Sequence, residues 1–303
     1  MDICVILNPA AGRGQAGRQR PAIEAALRSQ GVEYELLTTH ARGGATELTF
    51  QAAERGRTTV VAIGGDGTLN EVLNGLVDLG PQAPALAMIP LGTGSDFARM
   101  FRELRPDDFA GGARRIASGQ NRPIDAARIT VYAGRQTLRR AFINGLGMGL
   151  DAAVAVESLK IRRLRGSLVY YWAIIKALAT YRPGPMHVRY DGGELNRPLF
   201  FASVGNGRFQ GGGFCMTPAA ELDDGRLDLC VVDTLGMGKV MRYLPLLRAG
   251  RHTRLPEVTM ARSKRVEVSC PTGIPIATDG EVVATDATRA EVEVLPGAVR
   301  LVI

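Results

Sequence analysis

Lysine is nearly missing from this chain. Of its 37 basic residues only four are lysines, and the first is Lys160. That scarcity excludes two common phosphate grips. No G-x-x-x-x-G-K-[ST] loop exists, and Val61-Ala62-Ile63 runs into Gly64 where a protein kinase strand would place its lysine. A phosphate held here must be held by backbone amides and arginine. Cysteine is equally sparse: Cys4, Cys215, Cys230 and Cys270 form no C-x-x-C, which argues against zinc and against a disulfide framework and leaves small buried hydrophobes. The three histidines, His40, His187 and His252, show no ligand spacing. Aromatics make up 6% of the chain and no RNA-binding signature appears, so no nucleic-acid partner is expected. No apolar run reaches the ~18 residues that would cross a bilayer. The start, MDICVILNP, opens on an acid and breaks after five apolar residues, which reads as a strand rather than a signal peptide. The expected location is cytoplasmic.

What the chain does have is arginine, with a net charge of +7. Guanidinium groups suit phosphates and anionic surfaces. The 303 residues suffice for two domains.

The most informative stretch is Val60–Leu76, VVAIGGDGTLNEVLNGL. A buried-strand run, Val60–Ile63, breaks at Gly64-Gly65-Asp66-Gly67-Thr68. Leu69, Val72, Leu73 and Leu76 then recur at helical spacing. Strand, glycine turn and helix start make a phosphate site, because amides can approach an anion where no Cβ intervenes and the helix N-terminus adds unpaired N–H donors. Asp66 would repel phosphate directly, so it fits only if a metal, a water or a proton-carrying group lies between. Asn70 and Glu71 add polar groups where a plain helix would prefer Ala or Leu. Two more glycine loops follow strands: Asn8-Pro9-Ala10-Ala11-Gly12-Arg13-Gly14 after Ile3–Leu7, and Pro90-Leu91-Gly92-Thr93-Gly94-Ser95-Asp96-Phe97 after Ala85–Ile89. Asn8 would anchor the first, Gly12 admit the anion and Arg13 cover it. Ligands of open α/β sheets bind at that strand edge. A helix over Asp107–Ser118 is predicted from Pro106 as an N1 signal. Beyond about Arg122 alternating strand-like segments dominate, with helices near Ala152–Lys160 and Ser167–Tyr181 and an Asp191-Gly192 hairpin turn.

GGDGTLNE, together with Ile143-Asn144-Gly145-Leu146-Gly147, Gly205-Asn206-Gly207, Asp224-Gly225 and Asp279-Gly280-Glu281, resembles the diacylglycerol kinase catalytic domain family of soluble bacterial lipid kinases over nearly the whole chain. The resemblance implies an α/β plus all-β fold. A Rossmann-like three-layer nucleotide domain over 1–123 would be followed by a β-sandwich lipid-substrate domain over 124–303, with the active site between them. It implies ATP and Mg²⁺ as cofactors and a lipid alcohol as acceptor, diacylglycerol first, with phosphatidylglycerol, sphingoid bases and prenyl alcohols open. Asn8, Gly12, Arg13, Thr39, Gly64, Gly65, Asp66, Gly67, Thr68, Leu69, Asn70, Glu71, Thr93 and Asp96 would line the nucleotide site. Ala11 and Ser95 stand where the family commonly has Ser and Asn, so those two side-chain contacts do not carry over. Asp224, with the carbonyls of Glu221 and Arg226, would bind a structural Mg²⁺ through hard oxygen ligands. Glu281 would be the general base, with Asp279 and Asp66 also catalytic.

Two rivals are an NAD kinase-like enzyme, which shares GGDGT, and a non-catalytic nucleotide- or lipid-sensing module. The Gly92–Phe97 loop and Asp279–Glu281 argue against the first, and the carboxylates against the second. A lipid acceptor further implies reversible docking on anionic membranes. Lys160–Arg182 suits it, with Arg162, Arg163 and Arg165 followed by Tyr170, Tyr171 and Trp172, and Arg242–Arg254 would form a second edge. A homodimer stays open.

Overall fold

Apolar β-branched runs become the central strands. In the computed structural model, which describes residues 2–91, 95–161 and 167–303, the chain divides into two units, Met1–Asp125 with Gly297–Ile303, and Ala126–Pro296.

The first unit alternates strand and helix: β1 (Ile3–Leu7), α1 (Ala11–Ser29), β2 (Tyr34–Thr38), α2 (Gly44–Glu54), β3 (Thr59–Gly64), α3 (Asp66–Leu79), β4 (Ala85–Pro90) and α4 (Phe109–Ser118). The strands are parallel in the order β2-β1-β3-β4. Every residue of β1, β3 and β4 is buried, as expected of parallel strands covered on both faces. Ile3, Val5, Leu7, Val61, Ile63, Ala87 and Ile89 pack with Ile23 and Leu27 of α1 and Ala113 and Ile116 of α4. The helices α2 and α3 pack on each other and on β1 and β3. Their approach is close: a Cβ on Gly75 would lie 2.8 Å from Thr49 Cβ. Helix α4 begins at Phe109 rather than Asp107. Asp107 has φ +64°, and Asp108 is the N-cap, its Oδ1 accepting from Gly111 N at 2.9 Å.

The second unit is mostly antiparallel: β5 (Asn121–Ala133), which crosses into it from the first, β6 (Gln136–Phe142), β7 (Gly145–Gly149), α5 (Leu150–Lys160), α6 (Ser167–Thr180), β8 (Pro185–Tyr190), β9 (Gly193–Gly205), β10 (Phe209–Gln210), β11 (Phe214–Cys215), β12 (Leu227–Asp233), α7 (Met237–Arg248), β13 (Val258–Ser263), β14 (Arg265–Thr278) and β15 (Glu281–Val302). The long strands β9 and β14 each pair with β7 at one end and β8 at the other. One face of β7, β9 and β12 supplies Leu146, Met148, Ala202, Val204, Leu229 and Val231 to the main core. The other face packs with α5, α6 and α7 around Leu150, Ile174, Phe201 and Val232.

A boundary at residues 123/124 leaves the end of the chain on the wrong side. Leu301 of β15 pairs in parallel with Leu86 of β4, Ile303 N donates to Gln120 O, and Arg300 Nη2 donates to Ala83 O. Residues 297–303 therefore complete the first unit.

Candidate functional site

The loops that leave β1, β3 and β4 at their carboxyl ends are joined to one another. Asn8 N donates to Ile63 O at 3.1 Å, and its Nδ2 donates to Thr68 Oγ1 at 3.0 Å. Gly64 must be glycine, because a Cβ there would overlap the Thr68 side chain. Leu91 N donates to Gly64 O at 2.9 Å. Asp66 makes the remaining tie: Oδ2 accepts from Asp96 N at 2.9 Å and Oδ1 from Phe97 N at 3.5 Å. The acid in the glycine turn thus aligns the β4 loop with the start of α3. Gly65 caps that helix without a side-chain bond, so its first amides keep the positive end of the dipole.

In the β1 loop Gly12, Arg13 and Gly14 have φ of +59°, +59° and +83°. This left-handed run interrupts α1 immediately after the Asn8 turn, and Arg13 holds a backbone that glycine tolerates far better. Thr39 lies just past β2, its N–H donating to Leu7 O at 3.0 Å. Asp96 is buried, with its Oδ1 3.3 Å from Arg99 Nε. Thr93, like Gly92 and Gly94, lies outside the described residues.

Three further residues of the expected phosphate site have partners within the first unit. Glu71 closes the N-terminus of α2: Oε1 accepts from Gly43 N at 2.8 Å and Oε2 from Ala45 N at 3.0 Å. Leu69 packs as a core residue, and Asn70 is buried against Asn74, whose Nδ2 donates to its Oδ1 at 3.1 Å.

In the second unit Asp279 and Gly280 form a two-residue hairpin turn between β14 and β15. Thr278 pairs with Glu281, and both turn residues have positive φ, +47° and +82°, as a type I′ turn requires. The carboxylate of Asp279 is a clamp: Oδ2 accepts from Ile143 N at 3.0 Å, and Oδ1 from Asn144 N and Gly145 N at 3.1 and 2.9 Å. Glu281 is the first residue of β15, half-buried. Asn206 Nδ2 donates to Ile143 O at 2.7 Å, which locks the same loop from β9's side.

Asp224 folds back on its turn, Oδ1 accepting from Arg226 N at 3.0 Å. Arg262 lies 3.5 Å from both Asp224 Oδ2 and Asp228 Oδ1. Burial pushes the Asp228 carboxyl up, against the pull of Arg262. Glu221 and Arg226 are exposed. Among the described residues no three His, Cys, Asp or Glu side chains converge on a metal. One observation suits a hard cation all the same: Asp224 Oδ2 is buried with no hydrogen bond.

Residues 2–129 match the diacylglycerol kinase catalytic domain, and residues 145–303 match the YegS C-terminal NAD kinase beta sandwich-like domain. A diacylglycerol kinase of Mycobacterium tuberculosis is 31% identical over 300 residues, covering 99% of this chain and 94% of that one. The chain belongs to the diacylglycerol kinase family. It is a lipid kinase, a phosphotransferase with an alcohol group as acceptor. A Staphylococcus aureus diacylglycerol kinase is 29% identical over 278 residues, covering 91% of this chain and 85% of that one. The crystal structure of a diacylglycerol kinase from Bacillus anthracis gives a TM-score of 0.73 at 25% identity, covering 99% of this lipid kinase and 96% of that chain.

Proposed function

We propose that this lipid kinase transfers the γ-phosphoryl group of ATP to the hydroxyl of a diacylglycerol, forming phosphatidic acid. The observation that carries the nucleotide half is the set of strand-end loops held together by Asn8 and Asp66 on a family kinase that lacks a P-loop lysine. Backbone amides of the Gly64–Thr68 turn and the start of α3 hold phosphate oxygens, and Arg13 covers them. Asp66 acts by fixing two loops, which needs no direct contact with phosphate. Glu281 takes the proton of the acceptor hydroxyl as it attacks phosphorus in line. Mg²⁺ bound with the nucleotide supplies neutralisation of phosphate charge. The direct test follows the γ-label of ATP into 1,2-dioleoylglycerol, phosphatidylglycerol, a sphingoid base, a prenyl alcohol and NAD, with Mg²⁺ or EDTA. Label in the glycerolipid that vanishes with EDTA supports the assignment, whereas label in NAD alone moves it to the NAD kinase-like rival.

A structural Mg²⁺ would use the Asp224 carboxylate with the carbonyls of Glu221 and Arg226, sharing Asp224 with Arg262. A metal bound only by the folded state stabilises by RT ln(1 + [L]/Kd). The melting temperature is therefore expected to rise with Mg²⁺ in the wild type and not in Asp224→Ala. Identical melting of the wild type with and without EDTA would leave Asp224 as a turn residue paired with Arg262.

The acceptor stays in a bilayer, so the enzyme must reach it. Among the described residues no helix is long and apolar enough to cross a membrane. Helices α5, α6 and α7 share one apolar cluster yet expose Leu159, Tyr171, Trp172, Ile175, Met237 and Met241. Lys160, Lys176, Arg182, Arg242 and Arg248 lie exposed among them. Arg162, Arg163 and Arg165 lie outside the described residues. This combination suits reversible docking on an anionic surface, with each cation near it contributing about 1 kcal/mol, weakened by salt. Trp172 is the only tryptophan, so its emission reports the event. A blue shift is expected with phosphatidylglycerol vesicles at low salt, reversed by high salt, and vesicle sedimentation should fall in Trp172→Ala/Ile175→Ala. Unchanged sedimentation of that variant would remove α6 from the contact.

A further inference from the structure

Helix α5 opens on an acid that its surroundings do not accommodate as an anion. Asp151 stands in the first turn of α5. Its carboxyl group packs directly on β7, where a Cβ at Gly147 would overlap Oδ2. The missing Cβ is what makes room for it. Oδ1 accepts from Ala152 N at 2.8 Å. Oδ2 is shut off from solvent and makes no hydrogen bond, although the residue as a whole is only half-buried. Leu150 and Val154, on either side of it in the chain, lie in the apolar cluster that α5 shares with α6.

Among the described residues no cation answers this carboxyl group. The titratable groups that face it are Tyr181, just past α6, and Cys230 of β12, with Cys270 of β14 acting on Tyr181 in turn. None of these is positive. Asp279 and Glu281, at the end of the β14–β15 hairpin, are acids too, and Asp279 is held by three amides. The cations of the packed helices are elsewhere: Lys160 pairs with Glu157, and Lys176 and Arg182 are exposed. Two effects then compete. Burial favours the acid form, while the amides at the helix N-terminus favour the anion. Burial wins and pushes the carboxyl up to about 7. An ionised oxygen buried without a partner costs so much that the group takes a proton instead. Helix α5 therefore sits on β7 with Asp151 as the neutral acid.

What the start of α5 backs is the hairpin that carries Glu281. Ala152 and Ala155 pack with Ala277 and Val282. Those last two pair with each other across β14 and β15, one step before the Thr278–Glu281 pair that closes the turn. Gly147, beneath the Asp151 carboxyl group, pairs with the same Ala277. The first turn of α5 thus covers the base of the turn, and Asp151 decides how closely that turn of helix can lie on β7.

We propose that Asp151 is a positioning residue whose proton keeps the turn of Glu281 in place. With the proton on, α5 seats on β7 and backs Ala277 and Val282. With it off, the bare charge draws the first turn of α5 toward water, the hairpin loses its backing, and turnover falls as pH rises past neutrality. This rests on the reading of Glu281 as the base and adds an acid that acts without touching substrate. The sign follows from linkage. The folded carboxyl holds its proton more tightly than an unfolded aspartate, which titrates at about 4. Its share of the stability is complete below that value and is lost as pH rises to about 7.

The test uses Asp151→Asn, which has the shape of the neutral acid at every pH, with Asp151→Ser as a smaller neutral variant. In urea, the unfolding constant of the wild type relative to that of Asp151→Asn should grow by up to about tenfold per pH unit between about pH 5 and 7, and level off above about pH 8. With γ-labelled ATP and 1,2-dioleoylglycerol in mixed micelles, kcat of the wild type should fall about tenfold from pH ~7 to ~8.5, following the neutral fraction of Asp151. Both variants should match the wild type at about pH 6 and keep their kcat to pH ~8.5, with nucleotide and lipid KM unchanged. Urea curves that run parallel over that range would put no proton on Asp151 and overturn the inference. A kcat profile that the variants leave unchanged also overturns it, since a carboxyl that only packs shifts stability alone. A rise in lipid KM at every pH overturns it too, by placing Asp151 on the substrate. If the wild type labels no lipid at any pH, the lipid kinase reading falls, and the positioning role falls with it whatever the urea curves show.

Discussion

Replacing Glu281 by glutamine is expected to lower kcat for lipid phosphorylation by about 10²-fold or more, within the 10²–10⁴ range of a positioned base, with nucleotide affinity nearly unchanged. The reason is local. Glu281 opens β15 directly after a two-residue turn whose backbone is fixed by the Thr278 pairing and by the Asp279 clamp. Its carboxylate therefore starts from a rigid point. Glutamine keeps size and most contacts and removes only the ability to take a proton. A fall in kcat with an intact nucleotide Kd assigns the proton transfer to this residue. Turnover equal to the wild type would show that another group, or water, accepts the proton.

Asp279→Ala should unfold the neighbourhood that Glu281 depends on. Three backbone donors, Ile143 N, Asn144 N and Gly145 N, lose their acceptor together. Leaving a buried donor bare costs roughly 1–3 kcal/mol, and neighbouring losses are not strictly additive. Alanine must also hold φ +47°, which Asp and Asn tolerate better. A total of ~3 kcal/mol corresponds to a drop of about 10 °C in melting temperature for a unit of this size. Activity should fall with it. Asp279→Asn is the informative partner, because the amide keeps one oxygen for Asn144 N and Gly145 N and suits the turn. It should recover much of the stability. An alanine variant that melts like the wild type would show that the loop carries its own weight without the clamp.

The parallel half of the fold was legible because its signals are strong and local. The buried run Val60–Ile63 and the spacing of Leu69, Val72, Leu73 and Leu76 are local patterns that packing reinforces. The antiparallel half was legible in outline, and the Asp191-Gly192 turn appears where the dipeptide put it, between Tyr190 and Gly193. Strand β7 was invisible, since glycine at alternate positions has poor strand propensity. Only its pairing with β9 and β14, both distant in sequence, explains why it is a strand. Glu71 hides a contact for a related reason: it belongs to a string that reads as a binding motif, and nothing in that string shows that its oxygens cap helix α2, whose Gly43 lies 28 residues earlier. Asp279-Gly280 carries the same turn signal as Asp191-Gly192, and the three amides that occupy its carboxylate lie some 135 residues away. Asp66 shows the limit of charge arguments, because its carboxylate accepts from two amides of the β4 loop, a tie that charge alone does not reveal.

The return of residues 297–303 to the first unit has a consequence for synthesis. A ribosome makes β1 through β4 early, then the whole of Ala126–Pro296, and only afterwards the segment that pairs with Leu86. At 5–20 residues per second the nascent first unit waits on the order of ten to thirty seconds without its last strand. Through that interval the outer edge of β4, an entirely buried Ala-Leu-Ala-Met-Ile-Pro run in the finished protein, lacks that strand segment, so folding of the unit made first is completed only by residues made after the whole of the second.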